Sequence, residues 1–332
     1  MKAARAMRRR TGAGFSLIEL MIAMVLGLLV VGAAISIFLT NRQTYRSTES
    51  LGRVQEGVRT AFELISRDVR EAAGNPCVNN LPLSNVLNNS ALNWWSNINR
   101  WGDAFRGYGA TEAVTGLTIG TGSGQRLANT EVVQLFAADD NVATITTHDT
   151  AGAKFTVNTA SHGIVTGELA VVCNARQASI FQVSGVTGQN IFHAAAGTPG
   201  NCTIGLGVPL NCGGSTVFAY VAPSSVLVKL HASRWYIGNG TNGPALYQQV
   251  ATANGTVTTQ EVAEGVTNLS VLYLVEGQSS YQAASAIAAD AWDEVIAARI
   301  TLQLASIERT GTDGQAIQRQ LIHVVSLRNR NP

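Results

Sequence analysis

Apolar positions along the chain fall into three regimes, and each predicts a different element. The first is an apolar run of 25 residues, 15–39, in which Glu19 is the only charge. At 1.5 Å per residue it spans the ~30 Å hydrocarbon core of a bilayer with some tilt, so it predicts a membrane-crossing helix. The second regime opens at Thr40, where the sequence turns polar with no strong helix breaker before Gly74-Asn75-Pro76. Leu51, Val54, Val58, Ala61, Phe62, Ile65, Val69 and Ala72 recur at three-to-four-residue spacing, which marks one buried stripe. Glu49 with Arg53, Glu63 with Arg67, and Arg67 with Glu71 stand four apart on the other faces, a spacing suited to ion pairs. Gly52 and Gly57 each weaken a helix by roughly 1 kcal/mol relative to alanine and mark candidate bends. Together the two regimes predict one helix over 15–73, about 88 Å long, half anchor and half spine.

The third regime is a series of short strand-like runs between Gly-, Asn- and Thr-rich connections. Strands are expected at 131–136, 168–173, 179–183, 216–221, 225–231, 234–237 and 269–276. Two more alternate clearly. In 295–305, Ile296, Ala298, Ile300, Leu302 and Leu304 share one face, while Arg299, Thr301 and Gln303 take the other. In 318–328, Leu321, Val325 and Leu327 oppose Ile322 and Val324. Asp313-Gly314 between them signals an antiparallel hairpin. The fold class expected is therefore α+β: a long N-terminal helix packed on a β-rich antiparallel head at 75–332. Trp94, Trp95 and Trp101, in the Asn-rich stretch 79–109, read as a packed cluster under a long loop, with an exposed contact patch as the alternative.

Charge sharpens the first regime. Lys2, Arg5, Arg8, Arg9 and Arg10 precede the apolar run with no acid among them, which holds 1–14 on the cytoplasmic side. A secretory signal would have a shorter apolar stretch and a small-residue cleavage site, and Leu39-Thr40-Asn41-Arg42 offers none. A plain anchor leaves Glu19 unexplained, since an acidic side chain at the centre of a span costs about 2.5–3.5 kcal/mol on insertion scales. A cut between Gly14 and Phe15 would place a new α-amine four residues before Glu19 on the same helix face. Offered instead to the Glu19 of a neighbouring chain, that amine turns the charge into an assembly device. Gly27, Gly32, Ala33, Ala34 and Ser36 would allow close helix contacts.

Without the leader, 18 basic residues face 21 acidic ones, so the mature part has no basic nucleic-acid footprint. Charged residues are only 13% of the chain, in keeping with an exported, loop-rich β domain. All four cysteines follow the span, and an oxidising compartment allows two disulfides in three connectivities. Cys202 and Cys212 close a Gly/Pro-containing loop with little else to hold it, which pairs them and leaves Cys77 with Cys173. Metal binding by these cysteines is disfavoured, because no C-x-x-C is present and no histidine stands at ligand spacing. The five histidines are scattered. Gly120-Thr121-Gly122-Ser123-Gly124 lacks the last glycine of a dinucleotide fingerprint and reads as a turn. Asp139-Asp140-Asn141 lacks the downstream carboxylates of a calcium loop. No catalytic residues, cofactor or metal site are expected, and the chain is not expected to be an enzyme.

Gly14-Phe15-Ser16-Leu17-Ile18-Glu19 resembles the G-F-[ST]-L-x-E signal of type IV pilins and pseudopilins. The spine narrows the resemblance. Arg53-Val54-Gln55-Glu56, Arg59, Ala61, Ile65 and Arg67-Asp68-Val69-Arg70, followed by Gly74 and Cys77, resemble the PilW family of minor type IV pilins. Ala73 stands where that family has glycine, and Asn75-Pro76 precedes Cys77 where it more often has glycine. Trp235-Tyr236-Ile237-Gly238, Leu246-Tyr247 and the terminal Arg328-Asn329 extend the likeness through the head, while 110–117 and 201–212 stay unmatched. The resemblance implies cleavage after Gly14 by a membrane prepilin peptidase, methylation of the Phe15 amine, and pairing of Glu19 with an adjacent subunit. It further implies an inner-membrane single-pass subunit with a periplasmic head that later moves to the pilus, at its tip. Its implied partners are other minor pilins, the major pilin, the inner-membrane assembly machinery and a tip adhesin. The implied role is to prime pilus assembly, and with it adhesion and twitching motility. A J-type minor pseudopilin of type II secretion and a tip module gripping a surface or DNA remain as alternatives.

Overall fold

The computed structural model describes residues 16–78, 80–306, 309 and 315–330. The leader, the Gly14–Phe15 bond and the Asp313-Gly314 turn lie outside the described residues, as does the side chain of Val54.

Helix α1, Leu17–Glu71, is a single element of 55 residues that runs through Gly52 and Gly57 without interruption. Its lower stripe is buried as the spacing requires: Val58, Ala61, Ile65, Val69 and Ala72 are all 0% exposed. Where the apolar run gives way, Thr40, Thr44 and Thr48 donate their hydroxyls to the carbonyls of Ser36, Thr40 and Thr44, each at 2.9 Å. These bonds satisfy polar side chains within the helix itself. Arg53 pairs with Glu49 at 2.6 Å, but Glu63 reaches back to Arg59 at 3.3 Å rather than forward to Arg67.

The head contains β1 (Leu83–Asn85), β2 (Phe105–Tyr108), β3 (Val132–Ala138), β4 (Ala143–Asp149), β5 (Lys154–Val157), β6 (Leu169–Cys173), β7 (Ala178–Gln182) and β8 (Gly185–Thr187). It continues with β9 (Asn190–Phe192), β10 (Val226–Gly240), β11 (Gly243–Ala251), β12 (Val257–Glu264), β13 (Val266–Val275), β14 (Gln282–Ala283), β15 (Val295–Ala305) and β16 (Gln318–Ser326). Strand β10 organises the larger sheet. Its first half pairs with β6 and β4, and its second half with β3 and β11. A second, antiparallel sheet runs β14-β13-β15-β16. The main core lies where α1 meets both sheets: Val58, Ile65 and Val69 pack with Trp235, Leu246, Val271, Ile300 and Val325.

Three expectations change. The runs 225–231 and 234–237 form one strand, because Ala232 and Ser233 continue the ladder instead of breaking it. Both faces of β10 are covered there, so alternation is lost. Residues 216–221 are not a strand: the Thr216 carbonyl takes the Gly207 N–H at 2.8 Å, and the Tyr220 N–H goes to His148 Nδ1 at 3.1 Å. In β15 a register shift beside Val275 buries Val295 and leaves Ile296 half-exposed. The tryptophans are packed, not a contact patch: Trp94, Trp95 and Trp101 are 4–6% exposed in a core against β3, β6 and β10.

A third core holds a histidine pair. His148 and His193 face one another with Nε2 atoms 3.2 Å apart, among Phe155, Phe181 and Tyr220. His148 Nδ1 accepts from the Tyr220 N–H, so its proton sits on Nε2 and His193 carries its own on Nδ1. Burial pushes His148 down to about 4, Asp149 partly opposing this, and burial reinforced by His148 pushes His193 down to about 3. Both folded values lie below the unfolded value near 6.5, so the unfolded chain binds protons first as pH falls. Stability is therefore full above about pH 7 and declines below about 6.5, by about 2 kcal/mol at pH 5 from His193, with less from the half-exposed His148. Thermal unfolding of the full chain at pH 7 and pH 5 checks this; a His193→Phe/His148→Phe chain should show a flatter profile.

Candidate assembly site

The functional geometry is a helix with one exposed end and one fixed end. At the exposed end, the large apolar side chains from Leu17 to Leu39 are 52–78% exposed. It is the one helix among the described residues long and apolar enough to cross a membrane. Glu19 is not without a partner in its own chain. The Ser16 N–H donates to Glu19 Oε2 at 3.0 Å, and the Glu19 N–H donates to Ser16 Oγ at 3.3 Å. This reciprocal capping box satisfies two of the donors that every helix N-terminus leaves open. Ser16-Leu17-Ile18-Glu19 carries the S-x-x-E signature, a local reason for the glutamate that membrane cost alone does not suggest. Phe15 itself lies outside the described residues.

At the fixed end, Asp68 does the joining. Its Oδ2 accepts from Trp235 Nε1 at 2.9 Å, Gln248 Nε2 at 2.9 Å and Ser233 Oγ at 3.2 Å. The convergence follows from strand geometry: Ser233 and Trp235 are two apart on one face of β10, and Gln248 on β11 is the register partner of Trp235. Strand β10 thus turns odd-numbered residues toward the helix. Its even-numbered face serves another segment. Arg234 donates to the carbonyls of Thr115 and Gly116 at 2.8 and 2.7 Å and lies 4.4 Å over the Trp94 ring. Arg126, fully buried, donates to the carbonyls of Gly109, Ala110, Glu112 and Thr130. Burial lowers both guanidinium groups, Arg234 to about 10. The two arginines give 110–117 its shape, and no motif in the sequence announces that role.

The last turn of α1 is capped by distant chain. Ala73 sits at φ 59°, the left-handed position where the resemblance expects glycine. Its strain of about 1 kcal/mol is offset by a buried methyl of similar worth. The Ala73 N–H donates to the Phe136 carbonyl at 2.9 Å, and the Ala73 carbonyl accepts from Trp101 Nε1 at 2.7 Å. The Arg328 N–H reaches the Arg70 carbonyl and Asn329 Nδ2 reaches that of Glu71, both at 3.2 Å. Four residues past the Ala73 cap, Cys77 is disulfide-bonded to Cys173 of β6, with Cα atoms 6.2 Å apart. A second disulfide, Cys202–Cys212, closes the loop ahead of β10. Asp139, in the acidic triplet, is engaged by His231 Nε2 at 3.0 Å. Among the described residues no three carboxylate, histidine or cysteine side chains gather to hold a metal ion. What this arrangement offers is mechanical: a long apolar lever whose head is bonded to it at many points.

A long, half-apolar N-terminal helix packed on a β-rich antiparallel head defines a pilin-like α+β subunit. Residues 234–327 match the family model described as Type IV Pilus-assembly protein W, and residues 9–35 match the prokaryotic N-terminal methylation motif. No curated protein and no solved structure matches the chain. The two matches support a PilW-family pilin with a prepilin signal, of the minor type IV kind. They imply processing by prepilin peptidase, interaction with other pilins and membrane anchoring, and they point to a structural protein.

Proposed function

We propose that the chain is a membrane-stored prepilin that, once processed, joins a priming complex at the pilus tip. In this reading the leader 1–14 is removed between Gly14 and Phe15 and the new Phe15 amine is methylated. Residues 15–39 wait in the bilayer, 40–74 form the spine, and the head at 75–332 stands in the periplasm. The observation that carries the reading is Glu19 on an exposed apolar helix whose other end is bonded to the head. The capping box engages Oε2, and Oε1 remains for the amine of an adjacent subunit, so recruiting a neighbour need not uncap the helix. Because the head is fixed to the spine, docking of the helix also sets the orientation of the head.

A tip-binding role for the head is favoured by one feature. Val208, Leu210, Val217 and Val221, around the Cys202–Cys212 disulfide, are 39–62% exposed. Deletion of the chain, with counting of surface pili and co-purification of the tagged full chain with other minor pilins, separates the readings. Priming predicts few or no pili and recovery of other minor pilins. Normal pilus numbers with lost attachment would favour the tip-binding role, and normal pili with failed protein secretion would favour the J-type pseudopilin. A Gly14→Ala chain should stay membrane-bound at full length in a mobility assay; a mature-length product would move the cleavage site elsewhere.

A further inference from the structure

The second sheet ends on β16, whose first three residues are polar and include Arg319, but whose stretch from Leu321 to Val325 has no acidic, lysine, arginine or proline residue to blunt it. Natural sheets blunt their edges with short strands, charge, proline or bulges, because open main-chain groups invite another strand. The other described edges follow this rule. Strands β1, β8 and β14 have two or three residues and β2 has four. Strand β12 is longer but presents Thr258, Thr259, Gln260, Glu261 and Glu264. Strand β16 runs nine residues without proline and pairs with β15 in unbroken register. On it Leu321, Ile322 and Val324 are 41%, 60% and 52% exposed.

A groove of about 650 Å³ lies beside this edge, between β16 and the spine of α1. Phe62 and Leu321 line it, His323 packs against Phe62 at 6.0 Å between ring centroids, and Arg70 stands on its wall. Ser66 also lines it, 5% exposed, and its hydroxyl has no partner among the described residues. A buried hydroxyl without a partner costs about 1–3 kcal/mol, and an incoming main chain would satisfy it.

We infer that the open edge of β16 and this groove receive an extended strand from the head of another pilin, apolar at alternate positions and bearing an acidic side chain toward Arg70. The inference rests on the reading of the chain as an assembling pilin and names the surface it uses. A two-fold pair of identical chains does not fit. Phe62 sits on His323 and the Arg70 carbonyl takes the Arg328 N–H, so β16 runs in the same direction as α1. Two-fold antiparallel pairing of β16 with itself would point the second α1 the opposite way, and both helices must enter one membrane from the same side. The occupant is therefore a different strand, on a subunit whose helix lies parallel to α1.

The test places a photo-crosslinking side chain at Ile322, and at Leu92 as an exposed control, in the full-length chain in piliated cells. The expected result is an Ile322 adduct to another pilin within an extended apolar segment, identified by peptide mass, and no such adduct from Leu92. Ile322→Lys should leave the melting temperature unchanged and reduce recovery of that pilin about tenfold, the change that 1.4 kcal/mol gives. Adducts only to a second copy, only to lipid, or to nothing, while the unsubstituted chain still co-purifies with other pilins, would overturn the edge and leave the pilin reading standing. Failure of the unsubstituted chain to recover any pilin would overturn both.

Discussion

Replacing Asp68 with alanine is expected to cost about 3–5 kcal/mol of stability, since three donors lose one charged acceptor. Trp235 is fully buried, so its indole N–H has no recourse to solvent. The loss exceeds that of a surface ion pair, such as Arg59 with Glu63, worth well under 1 kcal/mol. Thermal unfolding of the detergent-solubilised full chain should show a drop of about 10 °C or more, by the usual scaling for domains of this size. Asp68→Asn keeps one acceptor oxygen and should cost less. An unchanged melting temperature in the alanine chain would mean that the apolar stripe alone holds the helix to the head.

The second large effect is expected from removing the Cys77–Cys173 disulfide with serine at both positions. Its half-cystines are 96 residues apart, against 10 for Cys202–Cys212. Constraint of the unfolded chain grows with loop length, so the long crosslink is worth about 4–5 kcal/mol and the short one nearer 3. Position adds to the difference. Cys77 follows directly on the capped end of α1, and Cys173 belongs to a strand beside β10, so the long crosslink ties the helix end into the central sheet. Denaturant unfolding of the two double-serine chains should rank them in that order. The reverse ranking would show that the Cys202–Cys212 loop, not the helix end, limits the fold.

The spine was readable in the sequence because only one face of α1 is covered below Thr40, so burial follows a helical period from Val58 to Ala72. Strand β15 was readable for the same reason, since Ala298, Ile300, Leu302 and Leu304 are buried on one face, whereas β16 buries only Val325 and its apolar pattern reflects an exposed edge. Strand β10 was not, because it is sandwiched. Ala232 and Ser233 look like an interruption, yet Ser233 bonds Asp68 and its neighbour Arg234 holds the 110–117 segment. Strands β5, β8 and β9 have only three or four residues, and β4 buries Ala143 and Ile145 but then turns to exposed threonines, so there is little periodicity to read. At the assembly site, Glu19 was conspicuous as a charge in an apolar run. Its bond to Ser16 is equally present in the S-x-x-E spacing, which the membrane cost of a carboxylate does not itself reveal. The three-donor role of Asp68 had no such signature, since its partners lie 165 or more residues away.

Recruitment of the subunit into the pilus through Glu19, on its exposed apolar helix, is the proposal on which the assembly reading rests. Its most direct measurement is the ratio of chain in sheared pili to chain in membranes, for the unsubstituted protein and for Glu19→Ala. The Glu19→Ala chain should be processed and stably folded, with its ratio lower by at least about tenfold, corresponding to 1.4 kcal/mol or more of lost pairing. An unchanged ratio, with the chain at mature length, would contradict the proposal.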